Sequence, residues 1–265
     1  MTTTDPTPAP PAPPAPAADD FYVGYLALPR SHARFIRILV PIALWSMVAL
    51  AALVTLTQRP AGAGLWDLSQ LRTWEGVLRA RPYPMLEIEQ DGARRTILLV
   101  EQGKHGVRPT AANLDGSRVR VMGWLLERDS RQMIELAPEP ESLVALSPAA
   151  PGSTRTAPPV PAAAPIELRG EILDFKCYLG AMKPGSGRAH RACAILCVRG
   201  GVPPMLVVRT PAGPQFHLLM DDAGGPAPPD ILSMIGVPVT VTGRPALIGD
   251  LPALAIAPGA VRPAE

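Results

Sequence analysis

"GSRVRVMG", residues 116–123, and "GVPVTVTG", residues 236–243, fit one pattern, G-x-x-V-x-V-x-G. A glycine turn leads into strict apolar/polar alternation, the period-two signature of a half-buried β-strand. The surroundings repeat as well. Each stretch is followed by a turn and a second apolar strand, "RDSRQMIELA" (128–137) and "LIGDLPALAIA" (247–257). Each is preceded by two strand candidates, "MLEIE" (85–89) and "RTILLVE" (95–101) in the first copy, "MLVVRT" (205–210) and "QFHLLMD" (215–221) in the second. Each copy opens alike, "TWEGVLRA" (73–80) against "LRGEILDF" (168–175). The pattern predicts a mainly β protein with two tandem small barrels, OB-like in topology, with an SH3-like barrel or small sandwich as the alternative. "PPDILSMIG" (228–236) is expected to form a short helix under the second barrel.

The rest of the chain is organised around these copies. "ILVPIALWSMVALAALVTLT", Ile38–Thr57, has no charge and the length needed to cross a ~30 Å hydrocarbon core. Arg30, Arg34 and Arg37 precede it and Arg59 follows it soon after. That asymmetry predicts a single-pass anchor in the cytoplasmic (inner) membrane, N-terminus in the cytoplasm and both barrels in the periplasm. A cleaved signal peptide is the rival reading, and the long leading tail argues against it. Prolines number 34 and concentrate at the start and within 137–165. The expected division is a Pro/Ala-rich cytoplasmic tail (1–20), a juxtamembrane segment with the transmembrane helix (21–59), a first barrel (66–137), a flexible Pro/Ala-rich linker (138–165) and a second barrel (166–260).

A net charge of +2 and 5% aromatic residues lack the dense basic face and stacking platforms that nucleic-acid binding requires, so no nucleic-acid partner is expected. No Ser-His-Asp spacing, phosphate-cradling glycine loop or paired carboxylates stand out.

The chemistry concentrates in the second copy. Gly76 to Gly116 spans 40 residues and Gly170 to Gly236 spans 66, and the additional length contains all three cysteines. The first copy has none, so a barrel of this type does not need them to fold. On a helix through "SGRAHRACAILCVRGG" (186–201), His190, Cys193 and Cys197 fall within roughly 60° of one another. Cys177 ends the preceding strand, and the loop "YLGAMKPGSG" (178–187) can return it to that face. Cys177, His190, Cys193 and Cys197 are therefore the candidate metal ligands. Three sulfurs and an imidazole suit zinc, copper in its Cu(I) state or an iron–sulfur cluster. No C-x-x-C-H is present, which excludes c-type haem by its usual signature.

Cysteines also pair in oxidising compartments. A disulfide from Cys177 to Cys193 or Cys197, with one spare thiol, is the competing reading; His190 would then serve to activate a thiol. Asp174 is expected to cap the cysteine loop or to accept a hydrogen bond from His190. Met182 is read as loop packing, His217 as a strand-surface residue, His105 as a loop residue, and Asp221 and Asp222 as the start of a loop.

The segment "GEILDFKCYLGAMKPGSGRAHRACAILCVRGGVPP" (170–204) resembles a motif of small exported bacterial proteins, a largely uncharacterised group, with G-x-[IV]-x-D-x-x-C followed by H-x-x-C-A-x-x-C-[IV]-x-G-G. Gly170, Asp174, Cys177, His190, Cys193, Ala194, Cys197, Gly200 and Gly201 match in place, and the resemblance extends over 166–260 to the "VTVTG" strand. It implies an OB-like fold and an exported setting; it names no metal and no reaction. The anchored two-copy arrangement departs from the single-domain members and leaves the first copy's role open.

The resulting expectation is a membrane-anchored periplasmic accessory protein, non-catalytic, that carries a Cys3His metal or redox site and docks to other membrane or periplasmic redox proteins. The alternatives are a disulfide-stapled protein-interaction module and a thiol–disulfide exchange factor.

Overall fold

The computed structural model describes residues 28–57, 64–107, 109–149 and 163–264. The tail 1–20, the approach 21–27 and the middle of the expected linker lie outside the described residues. The chain divides into two compact units, Met1–Pro60 and Ala61–Glu265.

The first unit contains one helix, α1 (Arg30–Thr57), long and apolar enough to cross a membrane, with a mean hydropathy of 2.3 over its most apolar window. It begins eight residues before the uncharged run, so Pro41 lies inside it rather than in its first turn as the run alone suggests. Proline has no N–H to give the carbonyl of Arg37, a gap that membrane-spanning helices accommodate.

The second unit is two closed five-stranded barrels in tandem, each with one extra strand. The first holds β1 (Leu65–Arg79), β2 (Met85–Gln90), β3 (Ala93–Val100), β4 (Arg118–Arg128), β5 (Arg131–Leu136) and β6 (Leu143–Ser147). The second repeats it with β7 (Ile166–Asp174), β8 (Pro204–Thr210), β9 (Gly213–Asp221), β10 (Pro238–Ile248), β11 (Leu251–Ile256) and β12 (Val261–Pro263). In the first, β1-β2-β3-β5-β4 closes back on β1, with β3 and β5 parallel and the other pairs antiparallel. The second closes the same way, β9 lying parallel to β11. This is the OB topology that the alternation predicts. "PPDILSMIG" supplies a 3-10 turn, Pro229–Met234, and Pro109–Leu114 is its counterpart in the first barrel.

The glycines of the repeated pattern have structural causes. Gly116 and Gly236 turn the chain at φ 77° and 71°, conformations that a side chain strains. Gly123 and Gly243 sit where β4 and β10 cross their next partners; a Cβ there would lie 2.1 Å from the Glu135 carbonyl oxygen and 2.7 Å from that of Ala255. Between them, Val119 and Val121, and Val239 and Val241, point into the two barrel cores.

The expectation of two barrels joined through a flexible linker is corrected in two ways. Residues 143–147, inside the 138–165 stretch, form β6 and pair with β4, extending the first barrel. More importantly, the barrels share an apolar seam. Ile97, Leu99 and Ile134 fill the first barrel, while their neighbours Leu98, Val100 and Met133 point the other way. These meet Met205, Val207, Leu218 and Met220, whose neighbours Leu206 and Leu219 fill the second barrel. Strands buried on both faces read as continuous apolar runs, and "TILLV" and "MLVV" are such runs.

Polar contacts cross the same seam. The Tyr83 hydroxyl donates to the Leu219 carbonyl (3.1 Å) and accepts from the Ala227 N–H (2.8 Å). The Arg128 guanidinium lies 3.9 Å from the centre of the Tyr178 ring. The Thr96 N–H donates to Asp250 (2.7 Å).

Candidate metal centre

The two barrels differ most between their first two strands. Residues 80–84 make the connection in the first barrel, and residues 175–203 make it in the second. This insertion holds every cysteine. It leaves β7 at Asp174, makes a single π-type turn at Cys177–Ala181, and returns through α2 (Arg191–Arg199). The helix starts at Arg191, later than the Ser186 or Gly187 that the sequence suggests, and Gly187 adopts a φ of 76°, outside the helical region. His190 occupies the position just before it, and its carbonyl accepts from the Ala194 N–H (3.0 Å).

Asp174, fully buried, organises the site. One carboxylate oxygen, Oδ1, accepts from the Cys177 backbone N–H (2.9 Å), which fixes the turn carrying that cysteine. The other, Oδ2, lies 2.7 Å from His190 Nε2. A carboxylate only accepts, so Nε2 carries a proton, and in the singly protonated ring that leaves the lone pair at Nδ1. Nδ1 is buried with no hydrogen-bond partner among the described residues. The ligand atoms of Cys177, His190 and Cys193 lie within 4.8 Å of one another, a spacing that can hold a metal ion. Cys197 belongs to a second set, with Cys177 and Asp174, at the same limit. The four predicted residues are thus brought together around Cys177, in two overlapping triads rather than one set of four.

All three cysteines are free thiols. Cys177, Cys197 and His190 are buried, and Cys193 is half-buried. Cys177 and Cys197 share a hydrogen bond. It holds the Cys177 thiol well above its ordinary value, with burial and the Asp174 charge adding to the effect. The same bond pulls Cys197 down, because its thiolate accepts from Cys177.

The first barrel also contributes to this site, which was not anticipated from the sequence. The loop after β3, residues 101–107, lies against it. Lys104 Nζ donates to Cys193 Sγ at 2.8 Å, and that bond raises the Lys104 pKa. Lys176, next to Cys177, points into the first barrel. Its Nζ pairs with Glu135 Oε2 (2.7 Å) and donates to the carbonyls of Glu101 (2.9 Å) and Gly103 (2.8 Å). Gly200, read as a helix stop, has a second role. A Cβ there would lie 1.9 Å from the Lys104 carbonyl oxygen, and the Gly200 carbonyl accepts from the Gly106 N–H (2.9 Å). The signal available in the sequence was "GKHG" (103–106), a lysine between glycines in an otherwise unexplained loop.

The remaining candidates stand apart. Met182 is exposed and outside the cluster. His105 is in the 101–107 loop as expected, and Asp221 caps a turn by accepting from the Ala223 and Gly225 N–H groups (2.9 and 2.6 Å). His217, expected on a strand surface, is half-buried beside Arg131 of the first barrel; burial and then the Arg131 charge lower its pKa. No protein family, curated protein or solved structure matches the chain.

Proposed function

We propose that this is a single-pass protein of the cytoplasmic membrane whose paired barrels, on the periplasmic side, carry a mononuclear Cys3His metal centre. Its work is non-catalytic: it presents that centre as an accessory to other membrane or periplasmic redox proteins. The observation that carries the metal reading is His190 Nδ1. An imidazole nitrogen buried without a hydrogen bond is costly, and this one belongs to a ring that lies among Cys177 and Cys193 and gives its other nitrogen to Asp174. Metal-ligating histidines characteristically give their second N–H to a carboxylate in this way. The 4.8 Å limit within the Cys177, His190 and Cys193 triad suits one ion with bonds near ~2.3 Å, and Cys197, within the same limit of Cys177, would supply the fourth ligand. Three thiolates and an imidazole leave no protein position vacant, which fits a closed zinc site; Cu(I) is the competing ion.

The test is the metal content of the full-length chain purified in detergent without chelators, beside His190→Ala. One metal per chain in the wild type, largely lost in the variant, is expected. A metal-free wild type with Cys177 disulfide-bonded to Cys193 or Cys197 overturns the reading in favour of the stapled interaction module. The orientation rests on Arg30, Arg34 and Arg37, and predicts that a reporter fused after Glu265 is active only outside the cytoplasm; cytoplasmic activity overturns it.

A further inference from the structure

We infer that the metal centre belongs to both barrels: Lys104 of the first barrel is a positioning residue whose ammonium holds the Cys193 thiolate and offsets the negative charge of the loaded site. This rests on the metal reading above and assigns the first barrel the role that its lack of cysteines leaves unexplained.

The contact is built rather than incidental. A lysine on an exposed loop samples many positions, but the backbone carrying Lys104 is held from two sides by residues that flank ligands. On one side Lys176, adjacent to Cys177, takes the carbonyls of Glu101 and Gly103. On the other, the Gly106 N–H donates to Gly200, three residues beyond Cys197, and only a glycine at 200 admits the Lys104 carbonyl. The loop is thereby fixed where Lys104 Nζ reaches Cys193 Sγ at 2.8 Å.

The charge balance calls for such a cation. A divalent ion with three thiolates and a neutral imidazole carries one net negative charge, and buried Asp174 adds another beside it. The nearby Lys176 is already committed to Glu135. Lys104 is the cation in contact with a ligand sulfur, and Cys193 is the ligand that solvent reaches. An ammonium there places a positive charge against the ligand sulfur and covers the exposed side of the centre.

The fold shows how the arrangement arises. The connection between the first two strands of each barrel inserts against the other barrel at the end of its third strand or the loop that follows. Tyr83, in the short connection 80–84, bonds to Leu219 and Ala227 of the second barrel. Lys176, in the long connection 175–203, bonds to Glu101 and Gly103 of the first. The metal site lies in the longer version of a contact that both barrels make.

The experiment measures zinc affinity of the full-length chain by competition with a chromophoric chelator, for wild type, Lys104→Met, Lys104→Gln and Lys104→Arg. Loss of a partner of this kind lowers metal affinity by about 10- to 100-fold. Both uncharged variants should show that loss, and Lys104→Arg, which keeps the charge, should recover most of it. In cobalt-loaded samples the thiolate-to-cobalt absorption of the uncharged variants should shift, which a loss of fold stability alone does not cause. Wild-type binding with both uncharged variants less than about tenfold weaker overturns this inference and leaves the metal reading standing. A wild type that binds neither zinc nor cobalt overturns both.

Discussion

Lys176→Met tests how the insertion is locked to the first barrel. Lys176 and Glu135 are each 3% exposed at their side chains, and Lys176 also supplies the N–H bonds to two loop carbonyls. Removing one member of a buried ion pair leaves an uncompensated charge and costs about 3–5 kcal/mol. Burial already holds the Glu135 carboxyl above the usual glutamate range, with Lys176 opposing the rise. The folded state therefore binds the Glu135 proton more tightly than the unfolded chain does, and stability falls as pH rises from the ordinary value of 4.5 through the folded value. Without Lys176 the folded value rises further. The deficit of the variant should therefore be full at neutral pH and shrink on acidification, as Glu135 becomes neutral. Lys176→Met combined with Glu135→Leu should recover the ionic part and retain about 1–3 kcal/mol for the carbonyls left without donors. Urea unfolding of the full chain in detergent, followed by tryptophan emission, reads all three quantities. A single variant within about 1 kcal/mol of wild type, where an exposed ion pair would fall, refutes the reasoning. So does a deficit that does not change with pH.

Three further outcomes follow from the same contacts. Trp66, Trp74 and Trp124 report on the first barrel and the cysteines on the second, so emission change and thiol exposure should share one urea midpoint; separate midpoints would mean independent barrels. Asp174→Asn should lower zinc affinity about 10- to 100-fold, because the amide no longer enforces the His190 tautomer by charge; unchanged affinity in the chelator competition would remove Asp174 from the centre. Gly200→Ala should destabilise the second unit by about 1–3 kcal/mol, since its Cβ must displace the Lys104 carbonyl, and an unchanged thermal midpoint would show that the loop yields freely.

The alternation in "GSRVRVMG" and "GVPVTVTG" made the barrels legible, because each strand places its valines inside and its polar neighbours outside. The cysteine cluster was legible from spacing, and Asp174 from its place three residues before Cys177. The seam was harder to read. "RTILLVE" and "MLVVRT" break the alternation, which signals a second buried face, but a strand pattern does not name what covers it. The same limit hid Lys104. It lies 89 residues from Cys193 in the chain, and only barrel docking brings the two together. The final strands β6 and β12 were missed because they are short, next to prolines, and paired at an edge.

Metal-edge X-ray absorption of the full-length chain, purified without added metal or chelator, tests the central claim most directly. Cys177, Cys193, Cys197 and His190 predict a shell of three sulfurs near ~2.3 Å and one nitrogen near ~2.0 Å, with the nitrogen replaced in His190→Ala. A shell of oxygen and nitrogen without sulfur, or no stoichiometric metal alongside a Cys177 disulfide, would contradict it.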